Sequence, residues 1–231
     1  MKNNIVKIMR IIVVILTIYS VIIRELFDIK PFTFFTNVSV LFAGIMCGMF
    51  LYYDIKGKVV TSLMCKARFM ATISVFVTFI LYALFIGPTQ EGGLFAAYQN
   101  VYWTSLIEHL IIPVAAMIDF YIGDVPYKYN VKDAKLGVVP SILYCVYALL
   151  LSFAGVTWET SKGEEMCMPY NFLNYKAPCG WFGMDLNGIS TTTLGVGVAY
   201  FIVLFIVVFV IIGAIMLLVK NLVDRKKYLI L

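Results

Sequence analysis

TSLIEHLIIPVAAMIDF, Thr104 to Phe120, reads as one pass of a helix through a membrane, with one histidine and two acids embedded in it. His109 is the only histidine in the 231 residues. An ionisable group held in hydrocarbon costs several kcal/mol, so such residues usually serve a function. Outward from this run, five more apolar stretches lie near residues 5–23, 32–53, 69–87, 137–155 and 192–219, with the fourth span itself covering about 101–122. Each approaches the ~20 residues that a spanning helix requires. The chain is 62% hydrophobic and only 13% charged, against roughly 25% charged residues in a soluble domain. These features predict an all-α, six-transmembrane-helix bundle, residues 1–231 forming a single integral-membrane domain with an intramembrane cavity that opens to the outer leaflet.

The first stretch, IIVVILTIYSVII after Lys2, Lys7 and Arg10, has the layout of a signal peptide. It is followed by Arg24, Glu25 and Leu26 in place of a small-x-small cleavage site, and is read as a retained helix. Lysine and arginine set the orientation. Fourteen fall at the N-terminus, in the 2–3 and 4–5 loops (among them Lys56, Lys58, Lys66, Arg68, Lys128, Lys132 and Lys135) and at the C-terminus. Only Arg24, Lys30, Lys162 and Lys176 fall on the other side. Both termini are therefore expected in the cytoplasm. The net charge of +5 is this bias, with attraction to anionic lipid, and no nucleic-acid partner is expected.

The five cysteines include no CxxC pair and no His/Cys cluster, so no zinc or haem site and no cofactor is expected. Cys167 and Cys179 lie in the long outer loop, about Val156 to Ser190, where they either bridge or stay free. The same loop carries Trp158, Pro169, Tyr170, Phe172, Pro178 and Trp181, and its acids Glu159, Glu164, Glu165 and Asp185 outnumber its lysines. Such aromatics serve as interface anchors, or as a lid over a cavity. No internal repeat is evident, against an inverted-repeat transporter.

With the N-terminus inside, the second and fourth spans both run inward, starting near Pro31 and near Tyr98 to Val101. Thr33 and Thr36 fall in the first turns of the second span. His109 falls on the order of 12–16 Å along the fourth. A hydroxyl beside an imidazole can lose its proton as it attacks an acyl carbon. Thr36, Thr33, Ser39 and Ser105 are the candidate nucleophiles, Ser105 being one turn before His109 on the same face. Glu108 lies about 100° around the helix from His109, and Asp119 about 15 Å further in, so neither is an obvious orienting acid. The alternative reading is structural: hydroxyls in membrane helices bond a carbonyl one turn back or a neighbouring helix, and a lone histidine caps a polar contact.

PFTFFTNVSVLFAGI (Pro31 to Ile45), EHLIIPVAAMID (Glu108 to Asp119), VVPSILYCVYALLLSF (Val138 to Phe153) and MPYNFLNY (Met168 to Tyr175), in this order, span most of the chain. The set resembles the prokaryotic six-pass membrane proteins related to the androgen-induced gene family. Animal members of that family are hydrolases of esters between fatty acids and hydroxy fatty acids that use a threonine and a histidine. The resemblance implies Thr36 as nucleophile, with Thr33 as fallback, and His109 as base. It also implies a lipid or fatty acyl ester as substrate and a bacterial plasma membrane as location. Two departures stand out. The animal motif has one residue more than the three between His109 and Pro113, and Ser39 stands where animal members carry Asp or Asn. Asn37 and Ser39 are candidate polar neighbours of the substrate carbonyl. Tyr102, Trp103, Tyr170, Asn171 and Phe172 are candidate residues of the cavity mouth. The competing functions are a small-solute or proton-coupled transporter with His109 and Asp119 as stations, and a non-catalytic lipid-binding protein.

Overall fold

A computed structural model describes residues 2–27, 32–89, 92–99, 102–159, 165–184 and 195–228. Lys30, Lys162, Glu164 and Asp185 lie outside them, and the second and fourth spanning helices begin at Phe35 and Thr104 rather than near Pro31 and near Tyr98 to Val101. Six helices are long and apolar enough to cross a membrane: α1 (Lys2–Phe27), α2 (Phe35–Lys56), α3 (Ser62–Leu81), α4 (Thr104–Ile122), α5 (Val131–Phe153) and α6 (Val198–Tyr228). An even number of passes returns the chain to its starting side. The protein is an integral multi-pass membrane protein of all-helical architecture. The only strands among the described residues, β1 (Trp158–Glu159) and β2 (Glu165–Met166), pair as a two-residue ribbon in the outer loop.

Helix α1 shows how the chain divides its surface between lipid and bundle. Ile8, Ile11, Ile15, Ile18 and Ile22 are all about half exposed, a stripe at helical spacing that faces lipid. Arg10, Val13, Thr17 and Ser20 form the opposite, buried stripe, which continues to Arg24. That stripe packs on α2 and α4. Contact with α2 is close because Gly44 has no side chain: a Cβ there would stand 2.5 Å from the Thr17 side chain. Gly44 and Gly48 thus form a small-xxx-small seam of the kind that membrane helices pack through. Helices α3 and α4 are the most buried of the six, and α5 and α6 are the most lipid-facing.

Two corrections concern the end of the bundle richest in lysine and arginine. The third helix begins at Ser62, not near residue 69, with the Thr61 hydroxyl capping the Met64 amide at 3.2 Å. Lys66 and Arg68, expected in a loop, are therefore helical. Arg68 tolerates this place because Asp119 accepts from it at 2.9 Å and Phe50 lies under its guanidinium at 4.9 Å. Arg10 and Lys220, counted from the sequence among the inner-side cations of the two termini, are buried. Arg10 pairs with Asp119 and Asp54, and Lys220 donates to the Gly123 carbonyl at 3.0 Å and to Asp224. The remaining inner cations still outnumber the outer ones.

Helix α3, where it continues past Leu81, and helix α4 both widen toward the outer side. Tyr82–Ile86 and Ile107–Ile111 are π-turns, and each is followed within two residues by a proline, Pro88 and Pro113. A proline has no N–H for the carbonyl four residues back and its ring crowds that carbonyl. Those carbonyls belong to Leu84 and His109, one inside each π-turn. Widening the helix relieves the clash at the place where His109 sits.

Candidate active site

His109 is 9% exposed, and both its ring nitrogens have defined neighbours. Nδ1 lies 3.0 Å from the Ser105 carbonyl one turn back. A carbonyl only accepts, so Nδ1 carries the proton and, in the neutral ring, Nε2 presents its lone pair. That nitrogen is 3.4 Å from Oγ1 of Thr36, in the first turn of α2. The distance exceeds the ~2.6–3.2 Å of a working base, as is common before substrate tightens such a pair. The imidazole is clamped on its face by Tyr82, whose ring stacks at 3.9 Å and 20°. The Tyr82 phenol accepts from Ser105 Oγ at 2.5 Å and donates to the Ala97 carbonyl at 3.1 Å.

The other candidate nucleophiles are placed elsewhere. Ser105 spends its hydroxyl on Tyr82 and its carbonyl on Nδ1, on the wrong edge of the ring to be activated by Nε2. Thr33 accepts the Trp158 indole N–H at 3.0 Å, and its carbonyl accepts the Tyr144 hydroxyl at 2.7 Å. Ser39 is buried without a hydrogen-bond partner among the described residues and helps line a cleft of about 480 Å³ between α2, α3 and α5. Phe35, Phe42, Met70, Leu143 and Tyr144 line the same cleft, whereas Thr36 and His109 do not. Phe35, which lines the cleft, directly precedes Thr36 in the first turn of α2. Asn37 is buried at 6% exposure on the first turn of α2.

Glu108 is fully buried and does not orient the histidine. Arg24 of α1 grips it with Nε at 3.1 Å and Nη2 at 2.9 Å, and the Ser20 hydroxyl donates to it as well. A two-pronged guanidinium and a hydroxyl let a carboxylate stay charged in such a place. Asp119 lies at the inner end of α4 in its own cluster with Arg10 and Arg68.

The outer loop folds down onto the N-terminus of α2. Besides the Trp158–Thr33 bond, the Tyr170 phenol oxygen accepts the Phe35 amide at 3.1 Å. Within the loop Trp158, Met166, Cys167 and Met168 are buried, while Trp181 is 37% exposed and stacked on Tyr175. The described parts of the loop are thus tied to the start of α2. Cys167 and Cys179 are unbridged, and the Cys167 thiol donates to Asn174 at 2.9 Å. Phe172 stacks on Tyr170 at 5.2 Å and packs on Phe201 and Phe205 of α6; Asn171 opens a 3-10 turn beside it. The other two aromatics expected at the mouth are at the periphery. Tyr102 stacks on Phe27 at 4.6 Å, and Trp103 is half exposed in a left-handed backbone conformation, φ 56°. No hydrogen bond or ring contact among the described residues joins either to Thr36 or His109.

Tyr82, Ser20 and Arg24 were not expected at this site from the sequence. Arg24 alone carried a signal, as one of the few cations on the outer side, and its partner Glu108 is 84 positions away. No family model, curated protein or solved structure matches this chain.

Proposed function

We propose that the protein is an intramembrane lipid ester hydrolase, with Thr36 as nucleophile and His109 as base. The observation that carries this reading is the single polarity of the pair: Nδ1 is protonated by its tie to the Ser105 carbonyl, so Nε2 faces the Thr36 hydroxyl as a base. In the reaction Thr36 Oγ1 bonds to the ester carbonyl carbon while its proton passes to Nε2. The C–O bond to the alcohol then breaks and Nε2 returns the proton to the departing oxygen. Water, deprotonated by the same nitrogen, releases the acid and restores the threonine. General-base help of this kind contributes about 10²–10⁴-fold.

The surroundings favour a lipid substrate. The cleft beside Phe35 is lined almost wholly by apolar side chains and has the volume of a small-ligand site. Each methylene of an acyl chain buried there gains about 0.8 kcal/mol. A fatty acyl ester of a hydroxy fatty acid, the substrate that the family resemblance implies, fits this chemistry, as does a bacterial plasma membrane as location. The transporter reading loses its second station, because both carboxylate oxygens of Asp119 are engaged by guanidinium groups.

Ester hydrolysis by the purified protein in liposomes is the test, with release of fatty acid measured by mass spectrometry. Release that disappears in both Thr36→Ala and His109→Ala supports the proposal. Bound lipid that is retained unchanged over time would assign the protein to non-catalytic lipid binding.

A further inference from the structure

The Tyr170 phenol is brought to Thr36 by the outer loop, not by a spanning helix. Its oxygen accepts the Phe35 amide at 3.1 Å, and the side chain and amide of Thr36 lie against the same oxygen. Phe35 and Thr36 open α2, and the preceding residue, Phe34, supplies no side-chain cap. The first N–H groups of a helix have no partner within it; here the phenol oxygen takes that place. An oxygen that accepts an amide proton has its own proton to donate elsewhere. At the far end of the chain of contacts the polarity is fixed too. The Ser105 carbonyl accepts from Nδ1, Nε2 accepts from Thr36, and the Thr36 oxygen keeps lone pairs for a donor. With the Thr36 proton given to Nε2, the Tyr170 hydroxyl is the donor left to face the Thr36 oxygen, so that one direction runs from the Phe35 amide through Tyr170 and Thr36 to His109 and Ser105.

We infer that Tyr170 is a catalytic residue whose hydroxyl donates a hydrogen bond to the substrate's carbonyl oxygen as the tetrahedral intermediate forms. The inference rests on the hydrolase reading above. As Thr36 Oγ1 bonds to the carbonyl carbon, the C=O π pair moves onto oxygen and the Thr36 proton moves to Nε2. The Tyr170 hydroxyl then turns from Thr36 to the new oxyanion, keeping its proton throughout. When the intermediate collapses, the electron pair returns to the C–O bond and the alcohol leaves with the proton from Nε2. Amide donation into the phenol oxygen at a helix N-terminus, where partial positive charge gathers, strengthens such a donor. Burial holds the phenol's pKa up at about 12, so it remains a donor through the neutral range. The ring itself is fixed by Phe34 at 5.8 Å, Phe172 at 5.2 Å and Tyr144 at 6.2 Å. Because the donor rides on the loop, the site is complete only with the loop seated.

Tyr170→Phe keeps the ring and deletes only the hydroxyl, so it separates chemistry from packing. The full-length protein in liposomes is assayed with 4-nitrophenyl palmitate, and its thermal unfolding is followed in parallel. The expected result is a kcat lower by about 10²–10³-fold, the loss typical of a missing oxyanion donor, with KM changed less than about three-fold and unfolding unshifted. A kcat within about three-fold of wild type, with Thr36→Ala still inactive, would overturn the inference and leave the hydrolase reading standing. Lost activity accompanied by a large drop in unfolding temperature would make Tyr170 a structural cap and would also overturn it. Turnover that survives Thr36→Ala would remove both.

Discussion

Around His109, near the outer end of α4, polar groups are joined in single file, with the imidazole held on one nitrogen and open on the other. Around Asp119, ten residues further along the same helix, they close on themselves. Arg10 and Arg68 both donate to the carboxylate, Arg10 also reaches Asp54, and the two guanidinium groups lie over Phe50 at 5.2 and 4.9 Å. A carboxylate held on both oxygens by guanidinium groups is tied into an ion-pair cluster, whereas Nε2 of His109 has a lone pair aimed at a hydroxyl. The helix geometry differs in the same sense. The continuation of α3 past Leu81 and the outer half of α4 carry π-turns, a feature often found at functional sites, and the inner half of α4 is regular. Buried polar groups on this one helix are thus arranged in two ways, a closed ion-pair cluster around Asp119 and an open file around His109.

The contrast is broken most severely at the upper site. Thr36→Ala or His109→Ala should lower turnover by about 10⁴-fold or more, as loss of a nucleophile or its base does elsewhere, while thermal unfolding in detergent stays as in wild type. Asp119→Asn should show the reverse. It leaves two buried guanidinium groups short of a counter-ion and should cost about 3–5 kcal/mol of stability, read from denaturant unfolding, with turnover per folded molecule retained. A stable Asp119→Asn protein would mean that the lower cluster does not brace the bundle.

Arg24→Gln tests whether the two regions are as separate as drawn. It strands the fully buried Glu108 carboxylate next to His109, and because Arg24 itself is 28% exposed, the expected loss is about 3 kcal/mol, the low end for a broken buried pair. Adding Glu108→Gln to the same chain should recover most of that loss. Pro113→Ala sharpens the comparison from the backbone side. Restoring the amide allows the Ile107–Ile111 turn to tighten to a regular helix, which rotates His109 relative to Thr36. Turnover should fall roughly 10- to 100-fold, the scale of an ångström-sized misplacement, with stability equal to wild type or higher.

The six spans were legible because apolar length and lysine placement reflect the bilayer directly. The Thr36–His109 approach was legible too, since two inward-running helices bring residues at similar depth together. The start of α3 was not. Lys66 and Arg68 look like loop charges until Asp119, 51 positions on from Arg68, is seen to neutralise one of them. Tyr102 and Trp103 carry the aromatic character of a cavity mouth, but nothing local in the sequence tells which face of the bundle they join. Tyr82 was equally hidden: its role arises from a stack across two helices that both widen ahead of a proline.

The most direct measurement is capture of the acyl-enzyme. The protein is mixed with 4-nitrophenyl palmitate, quenched in acid within the first turnover, digested and mapped by mass spectrometry. The mechanism predicts a palmitoyl ester on Thr36 that disappears in Thr36→Ala and is formed far more slowly in His109→Ala. Rapid nitrophenol release with no acyl group on Thr36, or with the group on another residue, would contradict it.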